Sequence, residues 1–324
     1  MTSMRAVRFH EYGSPDVLRL DRVPVPVPGA GEVLVRVHAA GLGGGELPIR
    51  AGTMGDLLPT TLPQGIGGEF TGRVAAVGTD VSRTQVGQAV WGVMPHFTFG
   101  SAADYVAVPE DRLAPAPAGT SLIEAAALPS SGTTVLTALV DRAALRPGER
   151  LLVRGASGGA GSVAVQLGAA LGAHVTALAG ASSLAWVGGL GADETHDYRT
   201  TRPADLGRFD VVLDLVGTDL ETYGALVGPG GRFLPLALGR TDPAASAAAV
   251  LAAQERNPGQ VLAFSNDPTR AQIEELTRYT ESGAVRPYVD ETFPLEQAAA
   301  AQSRLERGGV KGKIVLVTGA TDDQ

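Results

Sequence analysis

The chain has 324 residues, a formal net charge of −8 and 44% hydrophobic residues. That length and apolar share describe a globular protein with room for two cores, and the acidic balance argues against nucleic acid or an anionic membrane as the main partner. With no cysteine, disulfides, thiolate zinc sites and cysteine nucleophiles are excluded, and the five histidines, at 10, 38, 96, 174 and 196, are scattered without ligand spacing.

The opening stretch "MTSMRAVRFHEYG" has no apolar core of signal-peptide length, and no span reaches the roughly 20 apolar residues of a membrane helix; a cytoplasmic setting is expected. The prolines of "VPVPVPGAGE" (23–32) bar it from a central strand. Val33, Val35 and Val37 then alternate with Leu34, Arg36 and His38, the period of a half-buried strand. The stretches 70–81 and 87–94 repeat that pattern between glycine turns, which predicts a small barrel.

Near Ser121 the rhythm changes. The sequence reads as helical on both sides of Pro129, and strands and helices then alternate. Strands are predicted at 150–154, 174–178, 194–198, 210–215, 232–237 and 260–264, with helices at 162–172 and 182–190 among them. That order predicts a parallel sheet covered on both faces. Alanine-rich 242–250 and the stretch 269–283 read as helices, and the remainder regains strand character. It is too short for a domain of its own, so it is expected to return and complete the first one. Only Lys311 and Lys313 are lysines.

The stretch "RLLVRGASGGAGS" (150–162) puts Ala156, Gly158, Gly159 and Gly161 at a strand-to-helix corner inside a βαβ unit. A linker would have no buried strand before it and no apolar-striped helix after it. A phosphate-binding turn needs both. Glycine at 158 is expected to turn the chain tightly, and Gly161 to let the helix pack close to the sheet. The helix start then offers unpaired N–H donors and partial positive charge to a diphosphate. An acid at the end of the second strand would favour NAD, yet that place reads "ALAGASS" (177–183) and no acid follows it until Asp193. Small hydroxyl residues leave room for a 2′-phosphate, which favours NADPH over NADH; Ser182 and Ser183 are equally suited to cap the next helix.

The ordered segments "MRAVRFHEYGSPDVL", "PGAGEVLVRVHAAGL" (28–42), "AALPSSGTTVLTAL" (126–139), "GERLLVRGASGGAGSVAVQLGAALGA" (148–173), "LGADETHDYR" (190–199), "FDVVLDLVG" (209–217), "GPGGRFL" (228–234) and 293–317 resemble the medium-chain dehydrogenase/reductase superfamily, in its zinc-independent quinone oxidoreductase and enoyl reductase branch. The resemblance implies an α/β protein with a GroES-like β-barrel domain (1–123 and 287–324) and a doubly wound, Rossmann-type nucleotide domain (124–286). It also implies a cofactor set: Thr134 at the nicotinamide, Ser157, Gly158, Gly159, Ala160 and Gly161 at the diphosphate, and Ser182, Ser183 and Tyr198, with Arg199, at the 2′-phosphate. Val216 and Gly217 would lie where the cofactor crosses the sheet, and Leu238, Gly239, Phe264 and Ser265 would flank the nicotinamide. Tyr198 also reads as a strand-edge aromatic.

Departures from the family matter as much. Zinc members carry metal ligands at the places of Gly43 and Gly68, and only the neighbouring Glu69 remains here, so no metal is expected. The branch's usual Asn at 43, Tyr at 48 and Lys at 183 are Gly, Pro and Ser. Glu46, His96 and Thr98 are left as candidate catalytic polar groups, although Glu46 is suited to orienting backbone and His96 to a packed loop. The expected activity is NADPH-dependent hydride delivery to an enone, an enoyl group or a quinone. The alternatives are a biosynthetic enoyl or ketone reductase on a polyketide-like intermediate, in a pocket opened by "GLGGGELP" and 53–63, and an NADPH-binding protein without turnover. A small-molecule hydride acceptor is the expected partner, and the family's edge-strand pairing through "QVLAFSN" (260–266) would make a homodimer.

Overall fold

A computed structural model describes residues 3–58, 61–239 and 241–320; positions 59 and 60, in the expected pocket stretch, lie outside it. The first third is built from short strands: β1 (Ser3–Phe9), β2 (Leu18–Pro24), β3 (Glu32–Leu42), β4 (Gln64–Gly65), β5 (Glu69–Val77), β6 (Ala89–Val93), β7 (Tyr105–Pro109) and β8 (Leu113–Pro115). One helical turn, α1 (Glu46–Ala51), interrupts them. The proline run stops β2 at Pro24, since proline has no N–H for a ladder. The predicted strand at 33–38 is the start of β3, whose Val33, Val35 and Val37 are fully buried.

Two helices, α2 (Leu122–Ala125) and α3 (Pro129–Leu136), lie on either side of Leu128, and α3 runs into a π-helical turn, Thr137–Arg142. Pro129 sits in the first turn of α3, where a missing N–H costs nothing. A parallel sheet follows: β9 (Arg150–Arg154), β10 (His174–Ala179), β11 (Glu194–Asp197), β12 (Phe209–Asp214) and β13 (Val227–Pro235), in the order β11-β10-β9-β12-β13. The runs Leu151–Val153 and Val211–Leu213 are apolar without alternation because helices cover both faces. Those helices are α4 (Gly159–Ala170), α5 (Leu184–Gly188), α6 (Leu220–Gly224), α7 (Pro243–Arg256) and α8 (Arg270–Glu281). The return is β14 (Val289–Pro294), α9 (Ala298–Glu306) and β15 (Lys313–Val317), and β15 pairs antiparallel with the end of β3. The molecule thus joins a GroES-like sheet domain to a Rossmann-type sheet.

The expected strand at 260–264 does not form. Val261 makes a single bridge to Phe233 of β13, with Phe233 N–H donating to Gln260 O at 2.7 Å and Leu262 N–H to Phe233 O at 2.8 Å. The chain then leaves the sheet, and further on Asn266 reaches α3, where its Nδ2 donates to Thr133 Oγ1 at 3.0 Å. The stretch 260–266 therefore carries only isolated bridges, those of Val261 to Phe233 and to Pro258.

One core crosses the junction between barrel and sheet. Trp91 of β6, fully buried, packs with Leu128, Val135 and Leu276, and its Nε1–H donates to Thr277 Oγ1 of α8 at 3.1 Å. Helices α3 and α8 touch at Gly132, where an added Cβ would lie 2.5 Å from the Leu276 methyls. Leu276→Ala empties this fully buried contact, and its free energy of unfolding in urea should fall by about 2–5 kcal/mol.

Candidate active site

The glycine turn opens where β9 ends. Its bend is made at Gly155, with φ of +84°, and not at Gly158 as the glycine spacing suggested. Gly158 is the N-cap of α4, in extended backbone with φ −77° and ψ 177°. Gly161 does the close packing expected of it, since a Cβ there would lie 2.1 Å from the Gly155 carbonyl. The amides of Gly155 and Ala156 donate to Leu178 O, at 3.2 and 3.0 Å, and that of Gly158 to Gly155 O at 3.2 Å. Among the described residues, the amides of Ser157, Ala160 and Gly161 donate to no backbone carbonyl. They are the donors a helix start leaves over, and they carry the positive end of the helix dipole.

At the end of β10 stands Gly180 instead of an acid. A Cβ on it would lie 3.0 Å from Arg199 Nη1 and 3.7 Å from Tyr198 Cε1. The Arg199 guanidinium stacks over the half-exposed Tyr198 ring, 4.5 Å from its centroid. Ser182 is exposed beside them, whereas Ser183 is buried and its amide closes a tight turn to Gly180 O at 2.8 Å. Of the two serines only Ser182 is open to a ligand, because the short helical turn Ala181–Ser183 faces its last residue inward.

The residues expected where the cofactor crosses and those expected beside the nicotinamide adjoin one another. Val216 lies against Gly155, where a Cβ would meet its Cγ2 at 3.2 Å, and Gly217 abuts Ala237, Leu238 and Gly239. Ser246 Oγ ties the two loops, donating to Gly217 O at 3.2 Å and accepting from Gly239 N–H at 3.0 Å. His96 Nε2 meets Ser265 Oγ at 2.8 Å, which joins the barrel loop to the stretch beside Phe264. Thr134 spends its hydroxyl on its own helix, donating to Ser130 O at 2.7 Å, and Thr98 donates to Pro95 O at 2.7 Å. A separate cavity of about 450 Å³, lined by Leu220, Phe233, Val250, Ala253 and Val261 among others, lies behind β13 and shares none of these groups.

Beneath the glycine turn lies a buried charge cluster that sequence reading missed. Lys313 Nζ forms an ion pair with Glu69 Oε1 at 2.5 Å and donates to Ser131 Oγ at 2.9 Å. The other carboxylate oxygen, Oε2, accepts from Ser130 N–H at 2.8 Å. Gly312 N–H, one residue earlier, donates to Ser157 O of the glycine turn at 2.9 Å. The only sequence signals were a lone acid beside Gly68 and one of two lysines in a strand of apolar residues.

Glu46 is buried nearby, its oxygens accepting from Gly43 N–H at 3.0 Å and Gly67 N–H at 2.7 Å. Burial pushes its carboxyl up to about 7; Glu69 adds to the rise, and the two amides and Lys313 oppose it. The residues do not fit a zinc ion. Gly43 and Gly68 offer no donor, Glu69 has both oxygens engaged, and no metal-holding group of three or more His, Cys, Asp or Glu gathers among the described residues.

A barrel packed on a parallel sheet, with a glycine turn open to a diphosphate, is the architecture of an NAD(P)H-dependent oxidoreductase. The family models described as alcohol dehydrogenase GroES-like domain and zinc-binding dehydrogenase match residues 29–118 and 190–316. A chloroplastic quinone-oxidoreductase homolog of Spinacia oleracea is 32% identical over 97% of this chain and 98% of its own. The 2-methylene-furan-3-one reductase of Solanum lycopersicum is 32% identical over 97% of this chain and 79% of its own. The quinone oxidoreductase of Coxiella burnetii superposes with a TM-score of 0.88 at 26% identity, covering 98% of this chain and all of that one. The chain belongs to the medium-chain dehydrogenase/reductase family, in its quinone oxidoreductase branch.

Two outcomes test this cluster. Lys313→Met leaves the Glu69 carboxylate buried without its cation and should cost about 3–5 kcal/mol of stability, most of which adding Glu69→Gln should restore. Glu46 holds its proton more tightly folded than at the ordinary carboxyl value of 4.5, so its contribution to stability is full below that value and is lost as pH rises through about 7. Thermal unfolding of the wild type should therefore show a falling component across this range that is missing from Glu46→Gln.

Proposed function

We infer that this protein is an NADPH-dependent reductase that delivers hydride, without zinc, to a conjugated carbon–carbon double bond or a quinone. The observation that carries the reading is the paired geometry of the two phosphate places. Open amides stand at the start of α4, and at the end of β10 a guanidinium stacked on tyrosine stands where an acid would select NAD. When bound, NADPH supplies the hydride from its nicotinamide ring.

The chain's own residues do the rest. Ser157, Ala160 and Gly161 would hold the diphosphate; Arg199, Tyr198 and Ser182 would hold the 2′-phosphate. Val216 and Gly217, with Leu238 and Gly239, form the wall on which the nicotinamide half rests. The acceptor enters beside the His96–Ser265 contact, where His96 is the exposed imidazole at the mouth. An acceptor already activated by conjugation needs no Lewis acid. The names of the spinach and tomato relatives support the acceptor class, a quinone in one and an enone in the other.

The test is steady-state oxidation of NADPH and NADH with 1,4-naphthoquinone and with small enones, with and without a chelator. Turnover unchanged by the chelator, and a lower KM for NADPH, are expected. Arg199→Met should raise the KM for NADPH about tenfold or more and leave NADH unchanged, as befits one charge-assisted contact. A preference for NADH, or loss of activity on chelation, would refute the reading; tight NADPH binding with no acceptor reduced would favour a non-catalytic role.

A further inference from the structure

The loop after β12 is shaped by a side chain that does not belong to it. Gly217 and Asp219 both lie at positive φ, +80° and +52°, and the latter conformation is unfavourable for a residue with a side chain. Asp214, fully buried, grips the loop from one end, its Oδ1 accepting from Val216 N–H at 2.8 Å and Gly217 N–H at 2.7 Å. Its other oxygen, Oδ2, is held at 2.7 Å by Nη1 of Arg154, the last residue of β9. Arg154 then takes the other end of the loop. Nη1 also donates to the Thr218 carbonyl, and Nη2 donates to Thr218 Oγ1 at 2.8 Å and reaches Asp219 Oδ2 at 3.4 Å. The guanidinium lies 3.9 Å over the Tyr223 ring. One cation on the strand that opens the glycine turn thus spans both ends of a strained loop, leaving the Val216 side chain partly exposed beside Gly155.

We propose that Arg154 is a positioning residue, which acts through Asp214 and Thr218 to hold loop 215–219 in the shape that receives the nicotinamide half of the cofactor. The proposal rests on the cofactor reading above. Its signature differs from that of the 2′-phosphate contacts: because Arg154 acts on the half that NADPH and NADH share, losing it weakens both equally.

The experiment measures dissociation constants for NADPH and NADH by fluorescence titration without acceptor, and hydrogen exchange of the cofactor-free protein, for wild type, Arg154→Met, Arg154→Lys and Thr218→Val. Arg154→Met should weaken both nucleotides by the same factor, about tenfold or more, for lost preorganisation. Exchange at the amides of 216 and 217 should quicken while that of β9 and β12 is retained. Arg154→Lys should recover part of the affinity, and Thr218→Val should show a smaller, again equal, loss. Should Arg154→Met fail to fold, these two milder variants decide the matter. The proposal is overturned if the variants bind both nucleotides as tightly as wild type, or if only NADPH binding suffers. A wild type that binds neither nucleotide would instead overturn the cofactor reading on which it rests.

Discussion

The Lys313–Glu69 ion pair is the joint on which the arrangement of this molecule depends. Its cation comes from the last strand, its anion from the barrel, and the Ser130 amide and Ser131 hydroxyl that complete it come from the first turn of α3. Burying two charges costs several kcal/mol each, which is recovered only if attraction and hydrogen bonds are well aligned. Three separate pieces of chain must therefore sit in register before the pair is tolerable. Gly312, beside the lysine, is bonded to the glycine turn, so the same register fixes how the barrel faces the diphosphate site.

Around that joint the site is assembled from loops at the ends of parallel strands. Each loop is tied to a neighbour by polar side-chain contacts: Ser246 between 217 and 239, His96 with Ser265 between barrel and sheet, Asn266 with Thr133 between the outer segment and α3. Contacts of this kind fix geometry more than they add stability, because each net hydrogen bond is worth only about 1 kcal/mol. Strands and the helices on both faces of the sheet share the apolar burial, and the loops at the strand ends are free to be specified by function.

The βαβ rhythm, the glycine turn and the barrel were legible because they rest on local periodicity and on residues close in sequence. Gly161 could be read because its task, close helix–strand contact, is fixed by its place in the turn. Gly158 was misread because spacing shows that a turn exists but not which glycine carries the left-handed backbone, and that residue is Gly155. The strand at 260–264 was misread because its apolar run suits a strand, while the chain keeps only bridges at Val261 and then runs toward α3, where Asn266 bonds Thr133. Ser182 and Ser183 look alike in sequence and differ only in the direction a short helical turn gives them. Partners far apart in the chain, Lys313 with Glu69 and Arg154 with Asp214 and Thr218, left no pattern a single sequence could show.

The scarcity of lysine gives the junction a built-in reporter. Of the two ε-amino groups in the chain, that of Lys313 is buried and engaged while Lys311 is partly exposed. Amine-acylating reagents therefore meet one side chain readily, and they reach the second only when the packing that buries Lys313 opens. The ratio of the two acylation rates then reports how often the surroundings of the buried pair open.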